Sequence, residues 1–324
     1  MPVTDLPFIQ KDISRYGFSI YLALGLLGNF FNCIVFTRRT YRRTPSHLYL
    51  LCLSFFSVLY LLWILIPSIY ALYYADPQTQ SIVYCKMRLY VSHVLNLYLR
   101  YSVVFACVDR YFITRTNVHL RSFSSIKTAS KLLLAMLIIC PLMAMHMPIL
   151  MDLRNGTCGM FGIYKLIYAI YQIIVSGLLP PILMSIFSIL TIISLHQRHH
   201  TNQVRVKQSD QHLTRLVIVE VIVNVVTAIP YSANLLYGAL TYFATNKSTQ
   251  RLEIESFITF IAQFMIYFVG VIPFYLFFLI SRGFRKEFIG ILANFYYKHI
   301  LRRVQVVPGH GPQTNHRQIM QSRL

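Results

Sequence analysis

Few residues of this chain can do chemistry, and two of the strongest candidates stand where charge is costly. Arg100 and Glu220 each lie midway along an apolar run, Arg100 ten residues before Arg110 and Glu220 ten before Pro230. An ionised group at membrane depth costs at least ~2.5–3.5 kcal/mol even on lenient scales, so both must face inward and find partners. Asn96 and Asn224, in the same two runs, are candidates to share their hydrogen bonds, and a stranded buried charge is costly. Asp109-Arg110-Tyr111 is a second acid–base step, which alone reads as a helix-end anchor. His196, His199 and His200 cluster without Cys partners or ligand spacing across a fold. Neither H-E-x-x-H nor G-x-S-x-G occurs, and no acid pair lies beside a histidine. An enzyme, a cofactor and a metal site are therefore not expected.

The elements that position these residues follow from composition. The chain has 324 residues, 56% hydrophobic and only 12% charged, about half the charge of a soluble domain. Thirty Lys+Arg against ten Asp+Glu give +20, which in a soluble protein would suggest nucleic acid. In a membrane protein the same excess belongs to cytosolic loops, so no nucleic-acid partner is expected. Seven apolar segments, 17–37, 47–74, 82–112, 129–150, 163–195, 213–242 and 254–281, each have the roughly 20 residues a spanning helix needs. Their internal prolines are tolerable in a membrane bundle, where neighbours re-satisfy freed carbonyls. The fold class is thus an all-α membrane protein, a seven-transmembrane helix bundle, with membrane lipid as its surroundings.

Charge orients it. Arg38, Arg39, Arg42 and Arg43 follow span one, Arg115, Arg121, Lys127 and Lys131 lie between spans three and four, and Arg198, Arg205, Lys207 and Arg215 between five and six. The opposite side holds Asp5, Asp12, Asp76, Asp152, Glu253 and Glu255. The positive-inside rule then puts the amino terminus outside and the carboxyl terminus in the cytosol. Sequons at Asn155 and Asn246 fall in loops this topology places outside, where glycosylation is possible. The organisation reads as an extracellular stretch 1–16, a seven-span domain 17–281, an amphipathic helix 282–299 and a basic disordered tail 300–324. No cleavable signal is visible in the first sixteen residues, so span one is expected to direct insertion. Cys85, at the outer start of span three, and Cys158, in the loop after span four, share the oxidising side and can staple that loop over the bundle. Cys33, Cys52, Cys107 and Cys140 fall within spans and read as buried thiols.

With seven spans, an outside amino terminus and this cysteine spacing, Asp109-Arg110-Tyr111 acquires meaning. The chain resembles the rhodopsin-like (class A) G-protein-coupled receptors from residue 17 to about 299, with a flavour of invertebrate neuropeptide receptors of the FMRFamide type. Gly28-Asn29, Pro180 or Pro181, Pro230 and the Phe284-Arg285-Lys286-Glu287-Phe288 stretch fit the resemblance. In that last stretch Phe284, Phe288, Ile291, Leu292 and Phe295 share one face of a short helix, as an interfacial helix requires. The resemblance implies a plasma-membrane receptor that binds an extracellular ligand and activates a heterotrimeric G protein. It implies that Arg110 meets the G protein when helix six swings outward, and that at rest Arg110 pairs with Asp109 and with Asp210. Asp210 also reads as a plain helix N-cap. In the family's bundle the positions of Arg100 and Glu220 lie at similar depth on helices three and six, so the resemblance implies an Arg100–Glu220 pair, with Asn224 and Asn96 completing its hydrogen bonds, that can switch by breaking. A static bridge, or a Glu220 that stays protonated, is the alternative.

The departures are as informative. The family's helix-two sodium-site aspartate aligns with Ser57. Its helix-six Cys-Trp-x-Pro reads Thr227-Ala228-Ile229-Pro230, and its Asn-Pro-x-x-Tyr falls on Pro273-Phe274-Tyr275-Leu276-Phe277. The activation switches of the family therefore do not transfer whole. Ser92 stands where amine receptors carry an aspartate, which argues against a biogenic amine. No lysine occurs between Arg251 and Lys286, so a retinal Schiff base there is excluded. Ser92, His93, Asn96, Tyr231, Asn234, Gln263 and Tyr267 offer polar tips on apolar bodies and are the ligand-pocket candidates, suited to a peptide. A transporter using Arg100 and Glu220 is the competing reading, opposed by the odd span count and the lack of repeat symmetry. A receptor-like protein without G-protein coupling is the other.

Overall fold

A computed structural model describes residues 5–38, 44–115, 117–154, 156–200, 208–241 and 247–297, with the side chains of 198–200 and 208–213 outside the description. Seven helices are long and apolar enough to cross a membrane: α1 (Leu6–Phe36), α2 (Pro45–Tyr70), α3 (Ile82–Ile113), α4 (Ile126–Leu150), α5 (Ile163–Gln197), α6 (Thr214–Leu240) and α7 (Thr249–Val271). Two shorter helices follow, α8 (Pro273–Ile280) and α9 (Arg282–Tyr296). A hairpin of β1 (Asp152–Arg154) and β2 (Thr157–Gly159) sits between α4 and α5. The seven-helix membrane bundle read from hydropathy is the fold.

Sequence and structure differ at three boundaries. Helix begins at Leu6 rather than 17, with Pro7 in its first turn, where a missing N–H costs nothing. A π-helical stretch at Ile13–Gly17 joins it to the rest of α1. The second span ends at Tyr70, and Pro77–Gln80 makes a separate helical turn capped by the Asp76 carboxylate, which accepts from Gln78 N at 2.9 Å. The seventh span divides at Ile272, because Pro273 has no N–H to continue the ladder. Asn29 repairs this junction: its Nδ2 donates to the Gly270 carbonyl at 2.7 Å and to the Gly25 carbonyl at 2.8 Å. The buried amide thereby ties α1 to α7 where lipid offers no replacement donor.

α3 is the spine. Its apolar window is 72% buried, against 28% for α4, and it packs against α2, α4, α5 and α6. On α4, Leu134, Ile138 and Leu142 are more than 60% exposed at i, i+4 and i+8. In water such a stripe would be a liability; in a bilayer it is the lipid-facing surface. Close approach of α1 and α2 depends on Gly25, where an added Cβ would lie 2.3 Å from Leu61 Cδ1.

The compact unit that holds the bundle runs to Arg285. At its end Phe36, Phe277 and Phe284 are fully buried, with ring centroids 5.8–5.9 Å apart. Phe284, expected on the lipid-facing side of an amphipathic helix, is therefore a core residue, since two rings from α1 and α8 enclose it. Further along α9, Ile289, Leu292 and Phe295 are exposed.

Candidate functional site

α3 carries three groups of polar residues at three depths. At one end, Asp109 and Arg110 are 5% and 1% exposed. The Asp109 carboxylate accepts from Arg110 Nη2 at 3.1 Å, from Ser124 Oγ at 2.5 Å and from Ser46 Oγ. Ser46 comes from the first turn of α2. Ser124 comes from the link to α4, held against α3 by Phe112 and Phe123, whose centroids lie 5.8 Å apart. One acid thus joins α2, α3 and the α3–α4 link while fixing the arginine beside it, using both acceptor oxygens. Tyr111 points elsewhere, packing on Phe187 of α5 at 5.7 Å and under the Arg115 guanidinium at 5.1 Å. The side chain of Asp210 lies outside the described residues.

At the opposite end a disulfide joins Cys85 to Cys158, the pairing expected from the sequence. Cys158 lies opposite Leu153 in the hairpin, whose turn includes Gly156 at φ 69°. Arg88, one turn further along α3, donates to Gln78 Oε1 at 2.6 Å and Ser68 Oγ at 2.9 Å, and meets Asp76 at 3.5 Å. Arg154 Nε donates to the Asp152 carboxylate at 2.9 Å and holds that carboxyl below its ordinary range. Asn155 and Asn246 lie outside the described residues.

The middle of α3 is bonded to α5. His93 Nε2 lies 3.1 Å from Tyr171 Oη, and Asn96 Nδ2 donates to Ser176 Oγ at 3.1 Å. Ser176 sits in a π-helical stretch, Ile173–Leu178, whose Val175 carbonyl accepts from Tyr101 Oη at 3.1 Å. Gln172 reaches the other way, donating to Tyr231 Oη of α6 at 3.5 Å. Tyr267 packs its ring between Phe18 and Tyr60. Four of the pocket candidates, His93, Asn96, Tyr231 and Tyr267, therefore lie within the bundle. Ser92 bonds back to the Arg88 carbonyl at 2.6 Å. Asn234 bonds Thr259 at 3.2 Å and borders a cleft of about 770 Å³ between α6 and α7, with Pro230, Tyr237, Arg251 and Glu255. Gln263 is exposed and does not join them.

The Arg100–Glu220 pair does not form. Both side chains are buried, 1% and 0% exposed, yet Arg100 Nε and Nη1 and both Glu220 carboxylate oxygens lack a hydrogen-bond partner among the described residues. The physical reason is depth. Tyr231, eleven residues after Glu220 on α6, meets Gln172 of α5, whose neighbour Tyr171 meets His93 of α3, so Glu220 falls beyond the level of Arg100 rather than opposite it. Asn224 does not bridge them either: its Nδ2 donates to the Glu220 backbone carbonyl at 2.9 Å.

Sequence reasoning missed Ser46, Ser124, Tyr60, Gln172 and Ser176. Gln172 carried a usable signal, an amide inside an apolar run; Ser46 and Ser124 carried none, since either reads as an ordinary helix-start residue. A family model described as 7 transmembrane receptor (rhodopsin family) matches residues 28–278, more than half of the chain. No curated protein matches it.

Proposed function

We propose a signalling role on the premise that the chain belongs to the rhodopsin family of seven-transmembrane receptors. It is a receptor of the cell surface, with the disulfide end outside and the Arg110 end in the cytosol, that binds an extracellular peptide and activates a heterotrimeric G protein. The observation that supports this best is the buried Asp109–Arg110 step with its two serine donors. It is a polar lock at the end of the central helix, and releasing it frees a guanidinium for a partner helix. The basic loops expected on that side suit a cytosolic transducer, by the same charge asymmetry that orients the bundle. The residues bonding α3 to α5, together with Tyr231 and Tyr267, supply amphipathic side chains suited to a peptide's amides and apolar groups. α6 is the element that two states would share, with ligand favouring one of them.

The test is a peptide-library screen on cells expressing the chain with promiscuous G proteins, read as nucleotide exchange. A peptide response that Arg110→Ala abolishes, at unchanged surface expression, is the expected result. A full response in Arg110→Ala would refute the role given to this arginine, and ligand-driven substrate flux without exchange would favour a transporter.

A further inference from the structure

The cleft of about 770 Å³ between α6 and α7 does not open into the bundle. Ala233 and Tyr237 on α6 and Ile254 and Ile258 on α7 line it, and all four are exposed. Tyr231, which bonds α5, and Tyr267, which packs between Phe18 and Tyr60, do not line it. Leu236 and Leu240 beside it are exposed as well. In a spanning bundle such a face meets lipid, so the cleft is a lateral one.

Its chemistry changes with depth. Tyr237 lies three residues before the end of α6, and Arg251 is the third residue of α7, which puts the rim at the level of the membrane surface. There the Glu255 carboxylate accepts from Lys247 Nζ at 2.6 Å, Tyr237 Oη at 2.8 Å and Arg251 Nε at 2.9 Å. Arg251 Nη2 donates to Tyr237 Oη at 2.8 Å. Two cations thus share one carboxylate, and Arg251 Nη1 makes no hydrogen bond among the described residues. Pro230 and Ile258 lie seven residues deeper on their helices, roughly 10 Å down, within the ~15 Å half-thickness of the hydrocarbon core. The amide at that depth, Asn234, is occupied by Thr259. The rim therefore offers both signs of charge with a positive excess, and the trough below it is apolar.

We propose that this cleft binds one glycerophospholipid with a zwitterionic, amine-bearing headgroup, taken from the leaflet on the disulfide side. Its phosphate pairs with Arg251 and Lys247, its ammonium pairs with Glu255, and an acyl chain fills the trough along Ala233, Ile254 and Ile258. The site faces the bilayer and needs no receptor ligand, so it stands independently of the signalling role.

The test uses the purified, delipidated full chain in detergent, with phosphatidylethanolamine or phosphatidylglycerol added singly and retained lipid counted by native mass spectrometry. One phosphatidylethanolamine should stay bound at collision energies that strip phosphatidylglycerol. Ala233→Trp, which fills the trough from the lipid side, should cut the retained fraction about fivefold or more, and Glu255→Gln should erase the preference between headgroups. Should Ala233→Trp fail to fold, the wild-type preference and its loss in Glu255→Gln decide the matter. Equal retention in wild type and Ala233→Trp would mean annular contact only. That result, phosphatidylglycerol held as firmly as phosphatidylethanolamine, a preference that Glu255→Gln keeps, or no retained lipid would each overturn the site.

Discussion

Arg100 and Glu220 invite a double-mutant cycle, because a pair and two independent charges predict opposite results. If they were bonded, removing one partner would cost ~3–5 kcal/mol by stranding the other. In the structure each is already without a hydrogen-bond partner among the described residues. Arg100→Met should therefore stabilise the protein by up to ~2.5–3.5 kcal/mol, the lenient cost of a central charge. At roughly 2 °C per kcal/mol for a chain of this size, the melting temperature should rise by roughly 5 °C. Glu220→Gln should change stability by the same amount in the wild-type chain and in the Arg100→Met variant, so the coupling energy should stay below ~0.5 kcal/mol. The charge swap, Arg100→Glu with Glu220→Arg, should rescue nothing. Thermal unfolding of the wild type, the two single variants and the double variant in nanodiscs measures the coupling. A coupling above ~1 kcal/mol, or a strongly destabilising Arg100→Met, would refute the reasoning.

Other expectations follow from single contacts. Asn29→Ala removes two buried hydrogen bonds and leaves the Gly270 carbonyl unsatisfied, so it should lower stability by ~1–3 kcal/mol, read as a melting-temperature loss that Asn29→Leu shares. Gly25→Val places a side chain against Leu61 and should reduce surface expression, with Leu61→Ala in the same chain restoring part of it. Asp109→Asn weakens the carboxylate's hold on Ser46, Ser124 and Arg110; one charge-assisted bond is worth ~1.5–3 kcal/mol, so ligand-independent nucleotide exchange should rise about tenfold or more. Exchange unchanged in Asp109→Asn at equal expression would mean this acid does not restrain the receptor.

How much of this was legible depends on the length scale of the signal. The spans are written in runs of some twenty apolar residues, and lipid permits only helices to satisfy the backbone there, so the bundle could be read directly. The Cys85–Cys158 link followed from two cysteines on one side of a topology already fixed by charge. The division at Pro273 was visible as a proline, but its repair by Asn29 was not, because the donor lies in a different helix. Glu220 and Arg100 were correctly singled out as costly; pairing them failed because matched sequence offsets from Arg110 and Pro230 do not fix relative depth. That depth depends on how α3 and α6 slide against each other, which no local pattern encodes. Gln263 failed for a related reason: a polar residue in an apolar helix predicts that it needs a partner, not which face it occupies.

The hydrogen bonds within the bundle are unevenly shared, and this bears on which helix can move. α3 is bonded to α5 at four successive levels, His93–Tyr171, Asn96–Ser176, Tyr101–Val175 and Cys107–Ser188. Between Glu220 and Asn234, α6 directs its side-chain bonds back to its own carbonyls through Asn224 and Thr227, to α5 through Gln172, and to α7 through Thr259. Moving α5 off α3 would break all four polar contacts, each costly in a medium without water. Moving the Glu220 end of α6 would break none of these, while the Gln172–Tyr231 bond could act as the pivot. Glu220, buried near the end of α6 that is free of such bonds, is then the acidic group whose surroundings change when α6 tilts.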